Sequence, residues 1–276
     1  MTDEYTIGQR AIAEFIGTFS IVFFGAGAVV VDFLTAPENG GQFVLGGLGL
    51  GALGWVGIAV AFWAAVAVPI YVFGPVSGQH INPAVTVAFW LTDRIEARAA
   101  IVYVVAQLAG GTAGGLVFTL VRGGEAVSVG AMGATAAFPG VTTLQATVNE
   151  VVITFFLMVV IMAVAVDDRA PANWAGFLIG FVVAAGVLTT GNISGASFNP
   201  ARTLGPYLTI TVSNAVLGTD GPFLWGQAWV YVLGPTVGAI LGVYTYEYLV
   251  LGPYETAGAG VDAGADADDV EGGEPA

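Results

Sequence analysis

The chain has 276 residues, 56% of them hydrophobic and only 9% charged, with a formal net charge of −14. A soluble domain carries about 25% charged residues, so this composition cannot cover a water-exposed surface and the chain must face lipid. Cysteine and lysine are absent and histidine occurs once. This excludes disulfides, thiolate chemistry and His-cluster metal sites, so no metal or cofactor is expected. Six arginines against 20 acidic residues exclude nucleic acid as a partner, because phosphate binding needs cations. A lysine-free, acidic surface fits a salt-rich setting, where screening relieves self-repulsion.

In chain order, apolar blocks near 11–31, 51–73, 97–121, 145–166, 174–191 and 226–250 are each long enough to cross a hydrocarbon core. The first contains Glu14 and no small-residue cleavage site before the next polar stretch. It therefore reads as a retained span, not a secretory signal. Two further apolar pieces, 83–92 and 200–210, are too short to span, and each begins with proline after a Gly/Ser-containing loop. Residues 32–50 read as a Gly-rich external loop and 122–144 as a second connector. The acidic, aperiodic stretch 255–276 predicts disorder, leaving one channel domain over 1–254.

The halves repeat, the first over about 8–121 and the second over about 145–250. "AEFIGTFSIVFF" from Ala13 parallels "NEVVITFFLMVV" from Asn149, each with a glutamate second. "YVVAQLAGGTAGGL" from Tyr103 resembles "YVLGPTVGAILG" from Tyr231. "GPVSGQHINPAVT" from Gly74 and "GNISGASFNPART" from Gly191 agree at seven positions. Each half holds three spans, an odd number, so the second lies upside down relative to the first. Such an inverted repeat with paired, interrupted short segments points to a midplane site. With the N-terminus inside, the inner connectors carry Arg10, Arg94, Arg98 and Arg169, while Arg122 lies outside and Arg202 in the pore. The positive-inside bias therefore predicts cytoplasmic termini in an integral cell-membrane protein.

The chemistry concentrates at Asn82-Pro83-Ala84 and Asn199-Pro200-Ala201. Asparagine is a preferred N-cap, and proline suits the first helical position because its missing N–H would have no partner there. With its oxygen on the helix backbone, the Asn NH2 is left to donate elsewhere. One such tripeptide is an ordinary helix start. Two, in inverted halves, bring both asparagines to mid-membrane, where they aim at one permeating oxygen. The half-helix N-termini meet there too, each with roughly half a positive charge, which disfavours cations and hydronium. Before each Asn an extended loop offers the carbonyls of Gly78, Gln79, His80 and of Gly195, Ala196, Ser197 as acceptors. Irregular backbone at this depth is tolerable only where it lines a water-filled cavity. These features together predict a channel.

At this point the sequence resembles the aquaporin (major intrinsic protein) family over about residues 8–250, through "AEFIGTF", "SGQHINPAVT", "SFNPART" and "WVYVLGP". The resemblance implies an all-α membrane fold: a right-handed bundle of six transmembrane helices with two re-entrant half-helices. It also implies a homotetramer with one pore per subunit. It places an outer constriction at Phe62, Val187, Ala196 and Arg202, the arginine standing where the first loop has Val85. Strict water channels typically carry His at the Val187 position, and glycerol facilitators carry two aromatics; this ring fits neither. Thr203 and Tyr231, where facilitators usually carry Asp and Pro, lean towards water. The set is similar to archaeal aquaporins with an aliphatic residue replacing His. Water conduction with some leak of glycerol or another small neutral solute is the expectation, with a glycerol-type facilitator as the alternative.

Glu14 and Glu150 sit in the first and fourth spans at repeat-equivalent places, which favours acceptors for the loop N–H groups over a carboxylate pair or a proton relay. His80 reads as a hydrogen-bonded scaffold residue, with an inner pH gate as the weaker reading. The runs "GGTAGG" and "GALG" suggest close helix packing. An inverted-repeat secondary transporter would need further ionisable groups at the midplane. A purely adhesive role has nothing in the loops to support it. With no nucleophile–base pair or metal site in sight, an enzyme is not expected.

Overall fold

The computed structural model describes residues 4–36, 54–171 and 173–252. Among these described residues, six helices are long and apolar enough to span a membrane: α1 Ile7–Leu34, α2 Gly54–Ser77, α4 Ala97–Arg122, α5 Thr143–Val166, α6 Ala175–Ser194 and α8 Trp225–Leu251. Two half-helices, α3 Pro83–Leu91 and α7 Pro200–Leu217, complete the set. The expected second half-helix ended at 210, but α7 continues to a left-handed glycine at Gly218 that releases its last turn. The connector expected over 122–144 carries a short helical turn at Glu125–Ser128 and another at Ala131–Gly133. Most of the Gly-rich loop expected at 32–50, three residues of "GALG" (51–53) and the acidic stretch 255–276 lie outside the described residues.

The repeat is written into the helix caps. Thr6 and Thr142 each accept a backbone N–H from a glutamine three residues on, whose side chain reaches back to the cap. These capping boxes secure α1 and α5 at matching points. Both helices also widen into a π turn past mid-length, at Ile21–Ala26 and Met162–Val166. Outward faces carry exposed Ile12, Phe24, Val60, Ile101, Leu120 and Phe156, which only lipid or another apolar surface can host.

Within each half the first helix packs on the third, α1 on α4 and α5 on α8, while α2 and α6 pair across the halves. Each half-helix crosses over: α7 packs mainly on α4 of the first half, and α3 mainly on α8 of the second. Glycine permits these approaches. A Cβ at Gly110 would lie 2.2 Å from the Phe15 carbonyl of α1, and one at Gly111 would lie 2.8 Å from the Ala201 carbonyl of α7. Neighbouring glycines of one motif thus serve two contacts. On α8 a Cβ at Gly238 would lie 2.3 Å from the Val151 carbonyl. With no hydrophobic drive between helices in lipid, such backbone proximity carries the packing.

Gly111→Val should wedge α4 off α7 and lower the thermal midpoint of the detergent-purified protein. Gly74→Ala, whose new methyl meets nothing within 4 Å, should leave that midpoint in place. Fluorescence-detected thermal melting of the two variants checks the contrast.

Candidate functional site

The two half-helices meet N-terminus to N-terminus. Asn82 Oδ1 caps α3 by accepting the Ala84 N–H at 2.9 Å. Asn199 Oδ1 caps α7 through Ala201 N–H at 2.9 Å and Arg202 N–H at 3.3 Å. The amide nitrogens cross over. Asn82 Nδ2 donates to the Phe198 carbonyl at 2.9 Å, and Asn199 Nδ2 donates to the Ile81 carbonyl at 2.7 Å. Each NH2 group has two hydrogens, so one ties the opposite loop and one is left for the cavity that both asparagines line.

The loops before these caps hold an uncommon backbone. Gln79, Ile81, Ala196 and Phe198 have positive φ of 49°, 45°, 45° and 59°, after left-handed Gly78 and Gly195. A left-handed non-glycine residue costs about 1–2 kcal/mol, so something must hold each loop. Glu14 accepts the N–H of His80 at 2.9 Å and of Ile81 at 2.6 Å, together with the Ser77 hydroxyl at 2.7 Å and Gln107 Nε2 at 2.8 Å. Glu150 accepts the N–H of Ser197 and of Phe198, both at 2.8 Å, and the Ser194 hydroxyl at 2.6 Å. Neither carboxylate reaches solvent. Tyr103 and Tyr231 add a matching pair of bonds, their hydroxyls donating to the Ser77 and Ser194 carbonyls at 2.7 and 2.8 Å.

A cavity runs past this junction with unlike walls. One wall is the backbone strip from Gly78 to Asn82, continued by Ser197 to Asn199; the other is apolar, with Val66, Leu157, Ile161, Ile179 and Val183. It reaches Ala165 and Val166 at one end and Phe62 and Arg202 at the other. There the guanidinium carbon of Arg202 lies 4.8 Å from the Phe62 ring centroid, in cation–π range. Arg202 is buried and donates through Nη1 to the Gly133 carbonyl at 2.8 Å.

Of the expected residues, Phe62, Gly78, Gln79, His80, Asn82, Ser197, Asn199 and Arg202 line this cavity, joined from the second loop by Phe198. Val187 and Ala196 are buried in the same apolar cluster as Phe62. Sequence reasoning also passed over Gln107, Thr86, Thr135 and Gly133. Thr135 Oγ1 lies 2.5 Å from Thr203 Oγ1, which lies 2.7 Å from Ser197 Oγ. The outer connector is thereby clamped to the first turn of α7. The sequence marked 122–144 as a connector but gave no sign of its contact with α7. Gln107 was readable as a polar residue in a span where the other half has Pro235.

Past the apolar end of the cavity, Asp167 joins Arg169 at 2.5 Å and the Tyr246 hydroxyl at 2.7 Å. Arg169 first, then Tyr246, holds the Asp167 carboxyl well below the usual carboxylate range. Arg94 pairs with Glu247 at 2.6 Å on the same α8 end.

Set beside known proteins, residues 1–246 match the family model of the major intrinsic proteins. The chain belongs to the aquaporin (major intrinsic protein) family. It is 47% identical to aquaporin AqpM of Methanothermobacter marburgensis over 251 residues, 88% of this chain and 98% of that one. It is 39% identical to aquaporin NIP1-4 of Oryza sativa subsp. japonica over 251 residues, 91% and 80% of the two chains. Its fold matches the aquaglyceroporin from Plasmodium falciparum with a TM-score of 0.72 at 23% identity, covering 90% of this chain and 98% of that one. As an aquaporin it is an integral membrane protein and a passive channel for water or small neutral solutes.

Glu150→Gln replaces one acceptor oxygen with a donor that faces loop N–H groups. Leaving a buried donor unmatched costs about 1–3 kcal/mol, so the variant should melt several degrees lower and lose water conduction together with loop order. Melting and stopped-flow light scattering on the same preparation check both.

Proposed function

We propose that this aquaporin conducts water, passes glycerol or another small neutral solute more slowly, and turns back protons and ions. The observation that carries this reading is the pair of asparagines: each caps its own half-helix, bonds the opposite loop and keeps one N–H for the cavity. A permeating oxygen takes those two donors while its own hydrogens go to the backbone carbonyls. The half-helix N-termini repel cations at the same point. Asn82-Pro83-Ala84 and Asn199-Pro200-Ala201 are then the pore motifs, with Gly78, Gln79, His80, Gly195, Ala196 and Ser197 as the carbonyl ladder.

Selectivity is assigned to Phe62, Val187, Ala196 and Arg202. Arg202 supports this reading through its place over Phe62, and Val187 by supplying an aliphatic side chain where a polar one would narrow the filter. Glu14 and Glu150 support the loops. A proton-coupled transporter would need a carboxylate free to change partners, and three or four donors already occupy each of these two. The glycerol-facilitator reading shares the fold and differs only in the solute preferred. The assembly proposed is a homotetramer in a cell membrane, each subunit one channel domain over 1–254 with inverted halves 8–121 and 145–250. Its termini lie on the cytoplasmic side, by the arginine distribution. The archaeal relatives support an archaeal source, and the lysine-free acidic composition supports a salt-loving one.

Stopped-flow shrinkage of proteoliposomes under an impermeant osmolyte and under glycerol tests the reading. Faster water loss than from empty vesicles is expected, and its absence would overturn the water reading. Val187→His should cut glycerol passage several-fold with water largely kept; unchanged glycerol passage would remove Val187 from the filter.

A further inference from the structure

Phe62 lines the cavity, and the Arg202 guanidinium carbon lies 4.8 Å from its ring centroid. Behind that ring stands Gly25, a buried residue of the π turn Ile21–Ala26 in α1. A Cβ at Gly25 would lie 2.5 Å from Phe62 Cδ1 and 2.5 Å from Cε1. The ring therefore rests directly on the α1 backbone. A π turn inside a long helix is a local widening of the backbone, and such turns recur at functional sites.

The next residue of the same turn backs the arginine. A Cβ at Gly133 would lie 2.2 Å from the Ala26 carbonyl oxygen, and Gly133 has a φ of 61°, in the left-handed region. The Gly133 carbonyl in turn accepts from Arg202 Nη1 at 2.8 Å. Two successive residues of α1 thus support the aromatic ring and, through the outer connector, the guanidinium beside it. The second half is built otherwise. Counted from Glu14 and Glu150, Gly25 corresponds to Ile161; counted from Asn82 and Asn199, Phe62 corresponds to Ile179. A glycine with an aromatic stands where the other half has two isoleucines, both on the cavity wall.

We propose that Gly25 is a positioning residue that sets solute specificity: having no side chain, it lets the Phe62 ring sit back against α1 and so fixes the width of the outer constriction. Protein interiors are close-packed, so a ring pushed off α1 has room only on the cavity side that it lines. Gly25 then decides how bulky a neutral solute can pass without touching that solute. Water needs the least width, and a polyol is the first to be excluded when the ring moves inward. This role rests on the assignment of Phe62 and Arg202 to the selectivity filter above.

Stopped-flow on proteoliposomes, under an impermeant osmolyte and under glycerol, reads the ratio of glycerol to water passage. Gly25→Ala should lower that ratio several-fold. Gly27→Ala is the control. Its methyl would meet Phe118 at 2.4 Å, a ring packed on the separate cluster of Val30 and Ala126, so it should lower the thermal midpoint and keep the ratio. Gly25→Ala combined with Phe62→Leu, whose smaller side chain makes room for the methyl, should recover glycerol passage. A wild-type ratio in Gly25→Ala overturns the proposal, and so does an equal fall in Gly27→Ala. If Gly25→Ala does not incorporate into vesicles, or the wild type passes no glycerol, the double variant is compared with Phe62→Leu alone. A lower ratio in the double variant is then expected, and equal ratios overturn the proposal. A Phe62→Leu ratio like that of the wild type would fail the filter assignment instead.

Discussion

Everything at the centre of this molecule depends on two buried carboxylates gripping backbone N–H groups. A loop that enters the membrane without helical bonds exposes donors that lipid cannot satisfy. In both halves this loop also places two non-glycine residues in the left-handed region. Glu14 and Glu150 answer both demands, each accepting consecutive N–H groups on the inner side of the loop's bend. With the N–H groups turned to the glutamates, the carbonyls are free to face the cavity. The acceptor strip is thus a by-product of how the donors are satisfied.

The interlocking of the halves follows from the same economy of space. Each half-helix lies mainly against the third helix of the other half, and the asparagines bond across the junction. Neither half can place its own loop without the other. Glycines 110 and 111 show how narrow the tolerance is, since one serves α1 and its neighbour serves α7. A side chain at either would separate backbones whose contact holds the half-helix at depth.

Symmetry and asymmetry divide the work. The symmetric elements, capped asparagines, glutamate cradles and tyrosine braces, make a conduit for small neutral molecules. The asymmetric ones distinguish the halves: Arg202 stands against Val85, His80 against Ser197 and Gln107 against Pro235, and the outer connector clamps Thr203. Arg202 is held by a carbonyl from that connector, so its surroundings are assembled from segments far apart in the chain.

The sequence by itself determined the six spans, because lipid as a solvent demands long apolar runs and composition reports them directly. It also determined the two Asn-Pro helix starts and the inverted repeat, since capping is local and seven matched positions survive in the loops. The role of Glu14 and Glu150 was legible from their equivalent places, although their partners were not. Only the tertiary structure decided which donors reach them, that each asparagine ties the opposite loop, and that Gln107 bridges Glu14 to Thr86 across 93 and 21 residues of sequence. It also decided that the Arg202 guanidinium lies over the Phe62 ring beside the cavity. Side-chain direction across a packed junction depends on how helices from both halves close on one another, and no local signal in the chain encodes that closure.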